Sequence, residues 1–355
     1  MAATDIGVLL EEAKCYACYG AGSVTELSGL ALLSRISESV ENTSNTLRYF
    51  ANGTITEIVN PVGAYDLSAV VDLTAVYING APALTDLTVL GNATLETVSI
   101  INQPTMGILE IGSCPDFKTL YAPNLISTTD VIKLSNNISL TSINLQSLVS
   151  SGNYFRLDNC DALLSLSLPS FVSSPNPAGG FYVYGNALLT SLSVPVLATV
   201  DYEFDVSGNP VLTALNFPSL ISTGDYFDVS NDFLLASLSL PVLTSVGSDF
   251  GADNIKVANL ILPNLTTIIG DILLSSTVLT SFSAPLWLAT NGTIMDWTGC
   301  ALDATSINHI LARLVASGVT TCNVTLSGGT NAAPTGQGII DKAALILAGN
   351  TVTTN

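Results

Sequence analysis

The residues able to do covalent or metal chemistry are few in this chain and widely spaced. Cys15 and Cys18 form a C-x-x-C pattern, which can be half of a zinc site or a redox pair. No second ligand pair accompanies it, and the single histidine, His309, lies near the other end of the chain. The simpler reading is a turn in a helical hairpin. One histidine leaves one possible base for a Ser-His-Asp or Cys-His arrangement, and no nucleophile elbow accompanies it, so His309 is expected at the surface or in a cap. Acids are plentiful: Asp201, Glu203, Asp205, Asp225 and Asp228 cluster, and paired carboxylates can hydrolyse glycosides. Polysaccharide-cutting solenoids set lysine or arginine beside such acids, whereas only Lys118, Lys133, Arg156 and Lys256 occur between 51 and 300. The expectation is no catalytic residue, no metal and no cofactor, and hence no enzyme.

Composition narrows the classes further. Of 355 residues, 48% are hydrophobic and only 10% charged, with 28 acids against 9 bases, a net charge of −19. A binder of nucleic acid needs lysine and arginine for the phosphates, so nucleic acid is not expected as a partner. No uninterrupted apolar run reaches the roughly 18 residues of a membrane span, so membrane insertion is not expected either. High apolar content with few charges fits a solenoid, whose coils stack into one continuous core. MAATDIGVLLEEAKCYACYG at the start has no basic segment before an apolar one and does not read as a secretory signal. The seven N-x-S/T sequons follow from richness in Asn, Ser and Thr.

The elements that hold any surface residues come from a repeat. FKTLYAP (117–123), LLSLSLP (163–169), LTSLSVP (189–195), LTALNFP (212–218), LASLSLP (235–241), VANLILP (257–263) and LTSFSAP (279–285) align at steps of 22 to 26 residues, mostly 23. Gln146 replaces the proline in LTSINLQ (140–146). Three residues before each leading apolar position stands a second periodic site: Asn92, Cys114, Asn137, Cys160, Asn186, Asn209, Asp232, Asn254 and Ser276, with Cys300 continuing it. Upstream of each, apolar pairs from Leu109/Ile111 to Phe227/Val229 alternate with outward residues, the mark of a strand with one face inward. Each coil therefore reads as strand, Asn/Cys corner, second short strand, proline and return segment. A tight inward corner leaves backbone groups away from water that must be paired, and a buried Asn both donates and accepts. The cysteines of this column are expected as reduced core residues.

The outward column of the first strand reads Glu110, Lys133, Arg156, Tyr182, Asp205, Asp228. With coils stacked about 4.8 Å apart, Glu110 can pair with Lys133, while Asp205 and Asp228 are like charges side by side. Tyr182, Tyr184, Tyr202 and Tyr226 lie near them. Tyr182, Tyr184, Tyr202, Asp205, Tyr226 and Asp228 are the candidate binding residues, against the alternative of an ordinary solvated face.

The pattern L-x-L-x-x-N/C-x-x-L, in segments such as LASLSLPVLTSVG (235–247), resembles a leucine-rich repeat of the BspA-like and receptor L-domain-like type over roughly residues 85–300. The resemblance implies adhesion or recognition. The chain departs from it in lacking a helix-forming convex segment; return stretches such as SLISTGDYF are short and rich in Ser, Thr and Gly, so the expectation is a β-helix-like cross-section. VTLSGGTNAAPTGQG (324–338), a helix and NTVTTN at the end, with LLEEAKCYACYG and LALLSRISE near the start, are similar to segments of tailed-phage virion proteins. The expected fold is mainly β, a right-handed parallel β-solenoid. Residues 1–50 form a helical cap or docking segment with a capping box at Ser23–Glu26, 51–300 the repeat with degenerate first coils, and 301–355 an α/β cap. Residues 170–180 add a bulge. The functional expectation is a non-enzymatic virion component (fibre, spike or capsid-decorating protein), assembled in the host cytoplasm. Its partners would be other virion proteins, a host-surface glycan or protein, or a second copy of itself. The rivals are a bacterial surface adhesin and a polysaccharide-active enzyme.

Overall fold

The computed structural model describes residues 46–49, 55–59, 62–70, 73–79, 83–275, 278–289 and 292–355. The helical segment expected over 1–50, with Cys15 and Cys18, lies outside the described residues except at its end. There Thr46–Tyr49 is a strand, antiparallel to Ile55–Val59.

From residue 55 the chain winds as a parallel β-solenoid, with two strands per coil at first and a third short strand per coil from residue 105. The first face is one sheet of 13 strands, from Val62–Asp66 to Thr351–Thr354. The second begins as a six-stranded sheet ending at Ser142–Asn144 and continues as three strand pairs. The third is a nine-stranded sheet from Thr105–Met106 to Leu288–Ala289. The degenerate region already forms coils, with Ile55–Val59 paired in parallel to Ala75–Asn79.

The third face gives the helix-free return segment its form. Its two-residue strands set one hydroxyl outward and the next residue inward, as in Ser127/Thr128 and Ser150/Ser151. Thr128 Oγ1 lies 3.1 Å from Ser151 Oγ, and Ser151 Oγ donates to the Tyr154 carbonyl at 2.7 Å, while Ser174 Oγ in the next coil is buried without a partner. Ser and Thr richness there is a buried polar seam rather than a loop signature. At the corner leading back to the first face the coils nearly touch. A Cβ on Gly224 or Gly247 would lie 2.0 Å from the carbonyl oxygen of Asp201 or Gly224, so only glycine fits.

The recurrent proline occupies the second position of a β-turn, where its fixed φ is already correct. The Leu125 N–H donates to Ala122 across Pro123, that of Leu197 to Val194 across Pro195, and that of Leu220 to Phe217 across Pro218. Inside, each column stacks on itself. Phe155, Phe181, Phe204, Phe227 and Phe250 form a stack with centroid spacings of 5.5, 5.7, 4.8 and 5.0 Å and interplanar angles of 17°, 19°, 2° and 12°. The spacing is imposed by the strand separation, and Phe171 and Phe217 close the stack from the side.

Past residue 300 the chain makes helix α1 (Ala304–Ser317), strand Asn323–Leu326, helix α2 (Gln337–Leu347) and strand Thr351–Thr354. Asp303 caps α1 through the Ser306 N–H, and Gly318 ends it at φ 68°, both as helix termini require. One face of α1 answers the polar groups of the last second-face strand and the turn after it. Ser306 Oγ accepts from the Phe282 N–H and His309 Nε2 from the Ala284 N–H, each at 3.1 Å, while Arg313 Nε donates to the Trp287 carbonyl at 2.7 Å. His309 is thus a built-in acceptor, and burial pulls its pKa below the usual histidine value.

Two outcomes test this packing. Phe204→Ala opens the middle of the ring stack and is expected to cost about 3–5 kcal/mol; an unchanged urea midpoint would contradict the stack's role. A histidine with a lowered folded pKa contributes stability present above its unfolded pKa and lost as pH falls below it. Acidification from about pH 7.5 to about pH 5.5 should therefore lower the melting temperature of the wild type more than that of His309→Gln, whose amide accepts without titrating.

Candidate functional site

The site is built outward from the corner column, which is buried. Asn137, Asn186, Asn209 and Asp232 are 0% exposed, as are Cys114, Cys160 and Cys300. Asn137, Asn186 and Asn209 each turn both the donor and the acceptor of the side chain to the coil before. Asn209 Nδ2 donates to the Val183 carbonyl at 2.9 Å and to Ser207 O at 3.2 Å, and its Oδ1 accepts the Asn186 N–H at 3.1 Å. Asn186 accepts the Cys160 N–H at 3.0 Å and Asn137 the Cys114 N–H at 3.1 Å. Cysteine fills the slot as a weak donor. Cys114, Cys160 and Cys300 point Sγ at the carbonyls of Val89, Leu134 and Leu274 at 3.6, 3.6 and 3.1 Å. None of the three is in a disulfide, nor is Cys322, and burial pushes the Cys160 thiol up to about 12. Asn92 starts the column, donating to Val70 O at 2.7 Å while its Oδ1 turns to the Leu95 N–H of its own corner.

Asn254 does not belong to this column. It is exposed, has φ 59°, and donates Nδ2 to Asn231 Oδ1 at 3.0 Å. It shares the left-handed position with Asn136, Asn159 and Asn231, one residue before the ladder, and buried Ile255 holds the ladder slot. This coil has one residue fewer after the corner, so counting back from Val257 lands one place early. Ser276 lies outside the described residues. Two further asparagines continue the role in the cap, unmarked by the repeat. Asn331 serves Trp297 O and Leu302 N, and Asn350 serves Val319 O and Cys322 N, all at 2.9 Å.

Outside this column the register lines up Glu110, Lys133, Arg156, Tyr182, Asp205 and Asp228 on successive strands. Lys133 meets Glu110 at 2.7 Å. Arg156 donates Nε to buried Asp158 at 2.6 Å and lies 5.1 Å from the Tyr184 ring centroid, a cation–π distance. Glu203 organises the next stretch: Tyr182 and Tyr226, from the two flanking coils, both donate their hydroxyls to Glu203 Oε2, at 2.7 and 3.0 Å. Burial, with the carboxylate beside them, raises both phenols above the usual tyrosine range. Tyr154 stands edge-on to Tyr182 at 6.0 Å. Tyr154, Tyr182, Tyr184, Tyr202 and Tyr226 are all half-buried.

Asp205 and Asp228 are adjacent, as the sequence implies, but their crowding is relieved within the chain. Asp205 Oδ1 accepts from Ser207 N and Oγ at 3.0 and 2.5 Å, and Asp228 Oδ1 from the Ser230 N–H at 2.8 Å. Burial pushes Asp205 up to about 6 and also raises Asp228. Asp66 with Ser68 and Asp296 with Thr298 make the same turn at the same strand position. The legible signal was the recurrent D-x-S/T. Among the described residues no three His, Cys, Asp or Glu side chains are grouped to hold a metal ion, and no helix is long and apolar enough to cross a membrane.

The fold and column together define a leucine-rich-repeat-like parallel β-solenoid. No family model matches the chain, and no curated protein matches it. Among solved structures it is similar to a leucine-rich repeat protein from Bacteroides ovatus, with 15% identity over 81% of this chain and 70% of that one and a TM-score of 0.39. It is also similar to a leucine-rich cell surface protein from Faecalibacterium prausnitzii, with 13% identity over 76% and 96% and a TM-score of 0.16.

Asn209→Leu orphans the Asn186 N–H and the Val183 carbonyl, each at about 1–3 kcal/mol. Thermal melting is expected to show a large loss; an unaltered melting temperature would mean the column does not carry the corner.

Proposed function

We propose that this chain is a non-enzymatic binding protein that presents the outer surface of its first sheet to a neutral glycan. The observation that carries the reading is the tyrosine cluster fixed around Glu203. Rigid aromatic rings offer contact area for the C–H faces of sugar rings at little entropic cost, and a carboxylate between them accepts sugar hydroxyls. The acidic field of a chain with net charge −19 disfavours anionic ligands. For the setting, the likeness of the terminal segments to tailed-phage virion proteins supports a virion component. A bacterial surface adhesin uses the same face for the same task.

The clamp is made by the hydroxyls of Tyr182 and Tyr226, so removing Tyr184 and Tyr202 leaves those two bonds in place. Tyr184→Ala with Tyr202→Ala is expected to weaken binding on a neutral-glycan array at least tenfold, about 1.4 kcal/mol, with melting nearly unchanged. Equal binding by the double variant, or none by the wild type, would refute the glycan reading. Mass spectrometry of purified particles against the cell-surface fraction of the encoding organism decides between the two settings.

A further inference from the structure

The corner column changes chemistry at one rung. Asp232 is fully buried, and its Oδ1 accepts the Asn209 N–H at 2.6 Å, as an asparagine there would. Its Oδ2 is buried with no partner. At the four rungs before it the corresponding atom is a donor, pointed at a carbonyl of the preceding coil: Asn137 at Ile111 O, Cys160 at Leu134 O, Asn186 at Leu157 O and Asn209 at Val183 O. Asn186 and Asn209 also donate to the carbonyl two residues back. By the same register Asp232 Oδ2 faces the carbonyls of Val206 and Ser230, two acceptors. A carboxylate there would set lone pair against lone pair in a site without water, which is costly.

We propose that Asp232 folds as the neutral acid, its Oδ2–H donating to the preceding coil's carbonyl, and that this rung is a pH-sensitive joint in the solenoid. Ile255 in the following rung offers no side-chain acceptor, and the apolar Ala252, Ile255, Val257 and Leu260 line a small pocket in that coil. The hydrogen-bonded column is therefore interrupted after Asp232, and losing its proton breaks the bond from this rung to the coil before. The charged groups acting on it are Asp228 of its own coil and Asp205 of the preceding one, both of which disfavour ionisation, while Asn209 favours it. Asp253, in the coil after, acts on Asp228 in the same sense. Burial is the largest influence and pushes the Asp232 carboxyl up to about 8.

For an acid whose folded pKa is raised, the folded state holds the extra proton. Stability is complete below the unfolded value near 3.8 and falls as pH rises towards about 8. Across that window the unfolding constant grows by up to about tenfold per pH unit through this group. Asp205 and Asp228 titrate in the same direction, so the informative quantity is the difference between wild type and Asp232→Asn, repeated in an Asp205→Asn, Asp228→Asn background.

The asparagine keeps the acceptor and supplies a permanent donor. The full-length Asp232→Asn chain is expected to melt higher than wild type at about pH 8, with a shallower fall on the way up from acid. Infrared spectra of the wild type at neutral pH should show a protonated-carboxyl C=O stretch that the variant lacks. Parallel melting curves, a variant that fails to fold, or no such band in the wild type would each overturn the proposal.

Discussion

The structure depends on one constraint: a chain that turns inward every 23 residues leaves backbone donors and acceptors where water cannot reach them. Each must find a partner inside the protein. A side chain at the turn can meet the need if it reaches the coil before with both a donor and an acceptor. The asparagine amide has both, and Asn186 shows the full set, with its own N–H given to Asn209, its amide to Leu157 and Tyr184, and its oxygen to Cys160. Because the bond is made between coils, it also fixes their register. A slip by one residue would turn every inward side chain outward.

The remaining interior follows from that register. Identical positions stack, so apolar residues become columns and the phenylalanines a continuous pile of rings. The last second-face strand would otherwise present its N–H groups to nothing, and α1 meets them with Ser306 and His309. The outer surface obeys the same logic. Where a first-face strand ends, Asp-x-Ser/Thr turns at 66–68, 205–207, 228–230 and 296–298 receive the backbone N–H. Glu203 ties two flanking coils together through tyrosine hydroxyls. The candidate binding surface is therefore a rigid part of the scaffold, which suits recognition by shape.

Much of this was legible because a repeat states its own rule many times over. Period, strand alternation, the Asn/Cys column from Asn92 to Asp232, the Glu110–Lys133 pair and the two C-terminal helices all follow from spacing and residue type. What was not legible shares one cause: partners chosen in three dimensions. The third face hid because its strands are two residues long, too short for a period to show. Asn254 was displaced because a shortened corner leaves the apolar spacing intact while moving the turn. The pairing of Asp205 and Asp228 with their own serines looked like unrelieved repulsion because a local turn outcompetes a distant partner. Glu203 drew notice only as one acid among several; that two tyrosines converge on it depends on coils 21 and 23 residues away.

Native-state amide hydrogen exchange tests the central claim most directly. The N–H groups of Cys114, Cys160, Asn186 and Asn209 lie at turns yet each donates to a side-chain oxygen one coil away. If that column holds the solenoid together, these four amides exchange only through global unfolding, as slowly as the slowest strand amides. Exchange at the rate of ordinary open turns, with the strands still protected, would show that the corners open freely and that the column is not what the fold depends on.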